Sequence, residues 1–239
     1  MSIIEKILKK VVLDEATISE KIELSNNAFR IRLQGESIKK SNFTPGYFLR
    51  MGIGIGKEEV SMKDKIRSYS IWDVNKSEGY MDLAIATHSN GIGSQWTIDC
   101  EVGESVYFKV KKGNFLADAS ADSYIMIGDL SALSHLYMIN RNIGIGKQVE
   151  SIIYSQEKSD LFRDIDGRTP FDFYEFSPNP SNEIIAKLKE IVPSLSGKRM
   201  VYIAGDSRVC VALNQYFRKE LNWAIKTKPF WNPIKKGLE

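Results

Sequence analysis

Arg67-Ser68-Tyr69-Ser70-Ile71 and, further on, His88-Ser89-Asn90-Gly91-Ile92-Gly93-Ser94-Gln95-Trp96 are the stretches around which the rest of this chain is organised. The first ends a polar, lysine-rich loop and enters a strand, where Arg67 and Tyr69 point to the same side because side chains alternate. The second leaves a strand through two glycines and enters a helix. Together they suit a phosphorylated aromatic cofactor. Arg67 is a planar, permanent cation for phosphate oxygens. Tyr69 offers a flat face to a ring, and Ser70 a hydroxyl for a ring nitrogen or carbonyl. The glycine turn lets a phosphate near the backbone, and the first N–H groups of the next helix attract it. The pair reads as a flavin site.

Outward from this point, the first half of the chain is a series of closely spaced strands. Ile22, Leu24, Phe29, Ile31 and Leu33 broadly alternate with polar residues around Asn26-Asn27, giving strand, turn, strand, or one bulged strand. Phe43-Thr44-Pro45-Gly46 is a turn signal before a strand at Tyr47–Met51. Strands follow at Arg67–Val74 and Gly79–Thr87, then a short helix from about Gly93-Ser94 to before Gly103, then a strand at Ser105–Val110. This spacing predicts a small antiparallel β-barrel with a helix capping one end.

Small and acidic residues at Ala117–Ser123 mark a change of texture. It sets the expected domains at 1–118 and 119–239. Beyond it strand-like and helix-like segments alternate: Tyr124–Ile127 with Ser131–Asn140, Val149–Tyr154 with a polar segment around Asp160, Phe171–Phe176 with Asn182–Val192, and Met200–Ala204 with Val209–Leu221. A final strand is expected at Ala224–Thr227. Repeated strand-then-helix units predict a Rossmann-like parallel sheet with helices on both faces and ligands at the carboxyl ends of its strands.

Composition narrows the function classes. The 239 residues are 43% apolar and 26% charged, as in ordinary globular proteins. A net charge of +3, from 33 basic and 30 acidic residues, argues against nucleic-acid binding and favours anionic small ligands. Cys100 and Cys210 are far apart and outside any Cys-x-x-Cys pattern, which suits free thiols in a reducing, cytoplasmic setting. No apolar run approaches the roughly 18 residues of a membrane span. Met1–Val12 has helical apolar spacing interrupted by Glu5, Lys6, Lys9 and Lys10, so a docked surface helix is expected rather than a signal peptide. No membrane insertion and a monomer are expected.

Two glycine-rich runs, Gly52–Lys57 and Gly144–Lys147, lack the phosphate-loop spacing and read as loop tips. With only His88 and His135 and two distant cysteines, a metal cage is not expected. Several residues carry two readings. Tyr69 and Trp96 suit core packing as well as a ring contact, and Ser131 is a good helix N-cap. Arg50, Lys109, Lys111, Lys112, Lys226 and Lys228 are individually ordinary surface charges, and as a cluster beside Phe230-Trp231 they suit an anionic chelate. Ser155 and Lys158 suit a 2′-phosphate, which Glu157 between them would repel.

Arg-x-Tyr-Ser at 67–70 resembles the flavin signature of the ferredoxin–NADP reductase superfamily. His-x-x-Gly-x-x-Ser-x-Trp at 88–96 is similar to one branch, the siderophore-interacting proteins, which are flavin-dependent ferric-siderophore reductases. Gly128-Asp129-Leu130-Ser131-Ala132-Leu133 and Ala204-Gly205-Asp206-Ser207, followed by Phe230-Trp231, resemble the same branch in the same order. The likeness covers about the whole chain beyond Lys21. It departs at Ser70 (usually threonine), Ile92-Gly93 (Pro-Ala), Leu130-Ser131 (Glu-Thr) and Asp206 (glutamate).

The resemblance implies an N-terminal FAD-binding barrel and a C-terminal domain for NADPH or NADH. It implies that FAD meets Arg67, Ser68, Tyr69, Ser70, His88, Asn90, Gly91, Gly93, Ser94 and Trp96. The nicotinamide cofactor would meet Asp129, Ser131, Ala132, Gly205, Asp206 and Trp231. Arg50, matching a basic position of the branch, would join Lys109 and Lys228 in drawing in a ferric siderophore. Reduction of Fe(III) to Fe(II) releases the metal, and no side chain is required as acid or base. The rival expectations are a general flavin or electron-transfer reductase of the same fold, and a siderophore-binding protein without turnover.

Overall fold

Apolar residues on alternate positions bring 14–34 into a hairpin: β1 (Asp14–Ser25) and β2 (Ala28–Gln34) flank the turn at Asn26-Asn27. Their register slips between Ile18 and Glu20 and again between Glu23 and Ser25, and such bulges bend a strand. β3 (Phe48–Gly52), β4 (Ile66–Ser70), β5 (Asp73–Asn75), β6 (Tyr80–Ala86) and β7 (Ser105–Lys111) join them in an antiparallel sheet ordered β4-β3-β7-β1-β2-β6-β5. A one-turn helix, α1 (Glu36–Lys39), and the helix α2 (Ile92–Asp99) complete this part. The computed structural model describes residues 13–53, 65–89 and 91–233. The expected helix at Met1–Val12, Asn90 and most of the Gly52–Lys57 run lie outside these residues.

The sheet is barrel-like but not closed by a continuous ladder, since β4 and β5 stand at its two ends. The strand expected at Arg67–Val74 is therefore two strands. It breaks at Ile71-Trp72, where both side chains are buried and the Trp72 N–H donates to the Asp82 carbonyl at 2.8 Å. Ala16, Ile18, Ile31, Leu33, Leu49, Met51, Met81 and Leu83 fill the interior.

The chain divides into two compact units, Met1–Asn114 and Phe115–Glu239. The division falls before the small, acidic run because buried aromatics hold 115–118 to the second unit. The Tyr202 hydroxyl donates to the Leu116 carbonyl at 2.9 Å and that of Tyr124 to the Asp118 carbonyl at 2.8 Å.

In the second unit β8 (Ser123–Asp129), β9 (Gln148–Ser155), β10 (Phe173–Glu175), β11 (Arg199–Asp206) and β12 (Ala224–Trp231) form a parallel sheet ordered β10-β9-β8-β11-β12. Every residue of β8 is buried, as befits a central strand covered on both faces. Ile125, Ile127, Val201 and Ile203 pack with α4 (Ser181–Ile191) and α5 (Ser207–Tyr216) through Ile184, Leu188, Val209 and Leu213. On the other face Phe115 lies between Tyr202 and His135 of α3 (Leu133–Asn142). Burial lowers the His135 pKa to about 4, keeping the ring neutral. The strand order reverses between β8 and β11, which makes the carboxyl ends of these two strands the ligand-binding crevice of such sheets.

Candidate functional site

In the first unit β4 and the start of α2 meet. Arg67 and Tyr69 lie opposite Met51 and Leu49 in the β3–β4 ladder, and both are half-buried. Gly93, in the first turn of α2, sits against them. A Cβ on Gly93 would stand 2.9 Å from the Tyr69 hydroxyl and 3.9 Å from Arg67 Cγ, so a side chain there would press on the tip of the Tyr69 ring. The Trp96 ring packs on Tyr69 with centroids 6.0 Å apart. Ser68 and Ser70 pair with Arg50 and Phe48, on the other side of β4 from Tyr69. Ser70 is the last residue of β4, so its hydroxyl leaves the strand at the end that the Tyr69 ring flanks from the other side.

The start of α2 suits an anion. Gly91 is its N-cap, no side chain caps it, and its first turn holds no acidic residue. Its leading N–H groups carry the positive end of the helix dipole. Ser94 is buried, with its hydroxyl 2.8 Å from that of Ser89, and the Thr97 hydroxyl donates to the Gly93 carbonyl at 2.9 Å. His88 is exposed just past β6. At the far end of α2, Lys21 of β1 donates to the carbonyls of Ile98 at 2.6 Å and Cys100 at 2.9 Å. A cation there complements the helix dipole. Sequence reasoning missed Lys21 because 77 residues separate it from Ile98, and nothing local marks the pair.

At the crevice of the second unit the predicted residues also come together, but they bind one another. Asp129 is buried, and its Oδ1 accepts from the Ser131 N–H at 2.9 Å and from the Ser131 hydroxyl. Its Oδ2 accepts from the Asp206 N–H and the Trp231 indole N–H, each at 2.7 Å. Gly205 makes this possible: φ is +114°, and a Cβ would fall 2.4 Å from Asp129 Oδ2. Asp206 caps α5, accepting from the Arg208 N–H at 2.9 Å and from its guanidinium at 2.6 Å. Ala132 is buried under the turn that follows β8. Arg208 was not foreseen, although a cation two residues past an acidic N-cap is a readable signal.

The three cations proposed for substrate lie on two elements of the first unit and one of the second. Arg50 and Lys109 are exposed and directly opposed across β3 and β7, with Lys109 3.4 Å from Asp14. Lys228, on β12, has its pKa lowered by burial. Lys226 instead turns to the Leu116 carbonyl at 3.3 Å and to Asp118 at 3.3 Å. Among the described residues no group of three or more His, Cys, Asp or Glu could hold a metal, and no helix is long and apolar enough to cross a membrane.

Residues 15–116 match the family described as oxidoreductase FAD-binding domain. NADH-cytochrome b5 reductase 1 of Pyricularia oryzae is 26% identical over 165 residues, which make up 66% of this chain and 53% of that protein. The chain thus spans about half the length of that curated relative. The siderophore-interacting protein SipS from Aeromonas hydrophila has a TM-score of 0.74 at 17% identity, over 93% of this chain and 92% of that one. A siderophore utilization protein from T. fusca gives 0.76 at 12% identity, over 95% of each chain. Phthalate dioxygenase reductase gives 0.72 at 14% identity, over 91% of this chain and 68% of the other.

Residues 15–116 are thus similar to an oxidoreductase FAD-binding domain, and the folds of the two units are those seen in these reductases and siderophore-interacting proteins. Siderophore-interacting proteins are among this chain's top structural neighbours.

Proposed function

We propose that this chain is an FAD-containing, NAD(P)H-dependent reductase that acts on Fe(III) held by a siderophore and releases it as Fe(II). The observation that carries the flavin half is the turn into α2: an uncapped, acid-free helix start beside Arg67 and Tyr69, within the segment that matches an FAD-binding domain. The α2 amides at Gly91–Ser94 would hold the pyrophosphate with Arg67, Tyr69 would flank the ring, and Ser70 would reach it from the end of β4. FAD, when bound, supplies the exchange between a two-electron nicotinamide donor and a one-electron iron acceptor.

For the substrate, the support is a likeness to siderophore-interacting proteins that runs over more than nine-tenths of both chains. Arg50 and Lys109 form an exposed cationic pair able to steer an anionic chelate. Hard anionic oxygens hold Fe(III) far more tightly than Fe(II), so reduction is itself the release step. Cys100 and Cys210 are both free and buried, which suits a protein working in the cytoplasm. We take the working form to be a monomer. A second reading, electron transfer to a protein acceptor, is favoured by the identity with NADH-cytochrome b5 reductase 1.

The test is an anaerobic titration of the FAD-loaded protein. NADH or NADPH should bleach the flavin bands, and a ferric siderophore should restore them with formation of Fe(II). Bleaching by neither nucleotide refutes the reductase. Recovery with cytochrome b5 but not with ferric chelates selects the second reading.

A further inference from the structure

The end of β9 bears on which nucleotide the second unit takes. In sheets of this kind the pyrophosphate sits at the turn after the first strand, and the adenine ribose reaches the end of a neighbouring strand. A carboxylate there accepts from a 2′-hydroxyl, whereas a 2′-phosphate needs cations and donors. Here the first strand is β8 and its neighbour β9 ends at Ser155.

The groups at this end already serve carboxylates. The Ser155 hydroxyl donates to Asp160 Oδ2 at 3.3 Å, and Asp160 is buried. The Lys158 N–H donates to Glu175 Oε2 at 3.3 Å, from the end of β10. Glu157 and Glu175 are exposed, and Lys158 is the one cation between 155 and 160. Lys187, which lies 5.8 Å from the Tyr174 ring on β10, is paired with Glu190 at 2.6 Å. Three carboxylates and a single lysine thus mark this end of the sheet, and the hydroxyl and amide best placed for phosphate oxygens are engaged.

We propose that this chain prefers NADH to NADPH, with Glu157 and Glu175 as the residues that set the preference. A 2′-hydroxyl can donate to these carboxylates, while a 2′-phosphate meets like charge beside them. This rests on the reading that the second unit binds a nicotinamide nucleotide.

The test uses the FAD-loaded full chain and calorimetry with 5′-ADP and 2′,5′-ADP. The 2′-phosphate should weaken binding by about ten-fold or more, the scale of one unfavourable charge contact. The double variant Glu157→Gln, Glu175→Gln should narrow that ratio, and NADH should bleach the flavin more efficiently than NADPH. Equal or tighter binding of 2′,5′-ADP, or an unchanged ratio in the variant, overturns the proposal. Faster reduction by NADPH does so while leaving the reductase intact. The predicted ADP ratio with no bleaching by either nucleotide sinks the reductase and leaves the preference standing, and no binding of either ADP defeats both.

Discussion

The turns into α2 and α5 each leave a strand and pass a glycine into a helix, yet α2 starts on Gly91 with no side-chain cap and α5 starts on Asp206, whose carboxylate already holds Arg208. The turn after β8 resembles the second case, with Asp129 taking the Ser131 N–H. A helix start finished by its own carboxylate has spent part of its attraction for anions, while an unfinished one retains it. The start of α2 thus keeps an attraction for anions that the start of α5 has in part satisfied. In the second unit the Asp129 carboxylate ties β8, β11 and β12 together, so an anion at that crevice would have to rely on amides the two aspartates do not use.

The contrast can be broken most severely at Asp129. Asp129→Ala strips the acceptor from the Asp206 and Trp231 N–H groups and from Ser131, and buried donors left unsatisfied cost about 1–3 kcal/mol each. Urea unfolding of the second unit should lose roughly 3–5 kcal/mol on that scale, with FAD affinity nearly unchanged. Unaltered stability would remove Asp129 from its structural role. Arg67→Ala should show the reverse. Loss of a charge-assisted bond to phosphate, roughly 1.5–3 kcal/mol, weakens FAD by about ten- to a hundred-fold in a fluorescence titration while the unfolding midpoint hardly moves. Full retention of FAD would take Arg67 out of the site.

The smallest effect is expected at Lys21, on the opposite end of α2. Lys21→Met removes a cation from the helix C-terminus, a change of about 0.3–1 kcal/mol, and should lower FAD affinity by a few-fold, with Lys21→Arg restoring it. An unchanged affinity would mean that the packing of Gly93 and Trp96 on Tyr69 positions α2 unaided.

Much of this arrangement is legible in the sequence because periodicity is a local signal. Met81, Leu83 and Ile85 mark β6, and the strand–helix alternation beyond residue 123 gives the parallel sheet. The break at Ile71-Trp72 was hidden because both are good strand formers, and only their burial turns the chain. β12 was expected to stop at Thr227 but runs to Trp231. Pro229 obscured it, and an edge strand tolerates a proline. The residues expected to meet a nicotinamide cofactor lie side by side, but whether a carboxylate faces a ligand or the protein's own amides depends on partners 77 and 102 positions away. No spacing rule carries that information.

The 102-residue span between Asp129 and Trp231 also sets a schedule for synthesis. The first sheet has all its strands once Lys111 has emerged, so it can fold while the rest is still being translated. The second must wait for Trp231 before its central carboxylate gains its fourth donor. A ribosome stalled before Trp231 would therefore present a finished first unit trailing an untied sheet, the form in which chaperones would be expected to meet this chain.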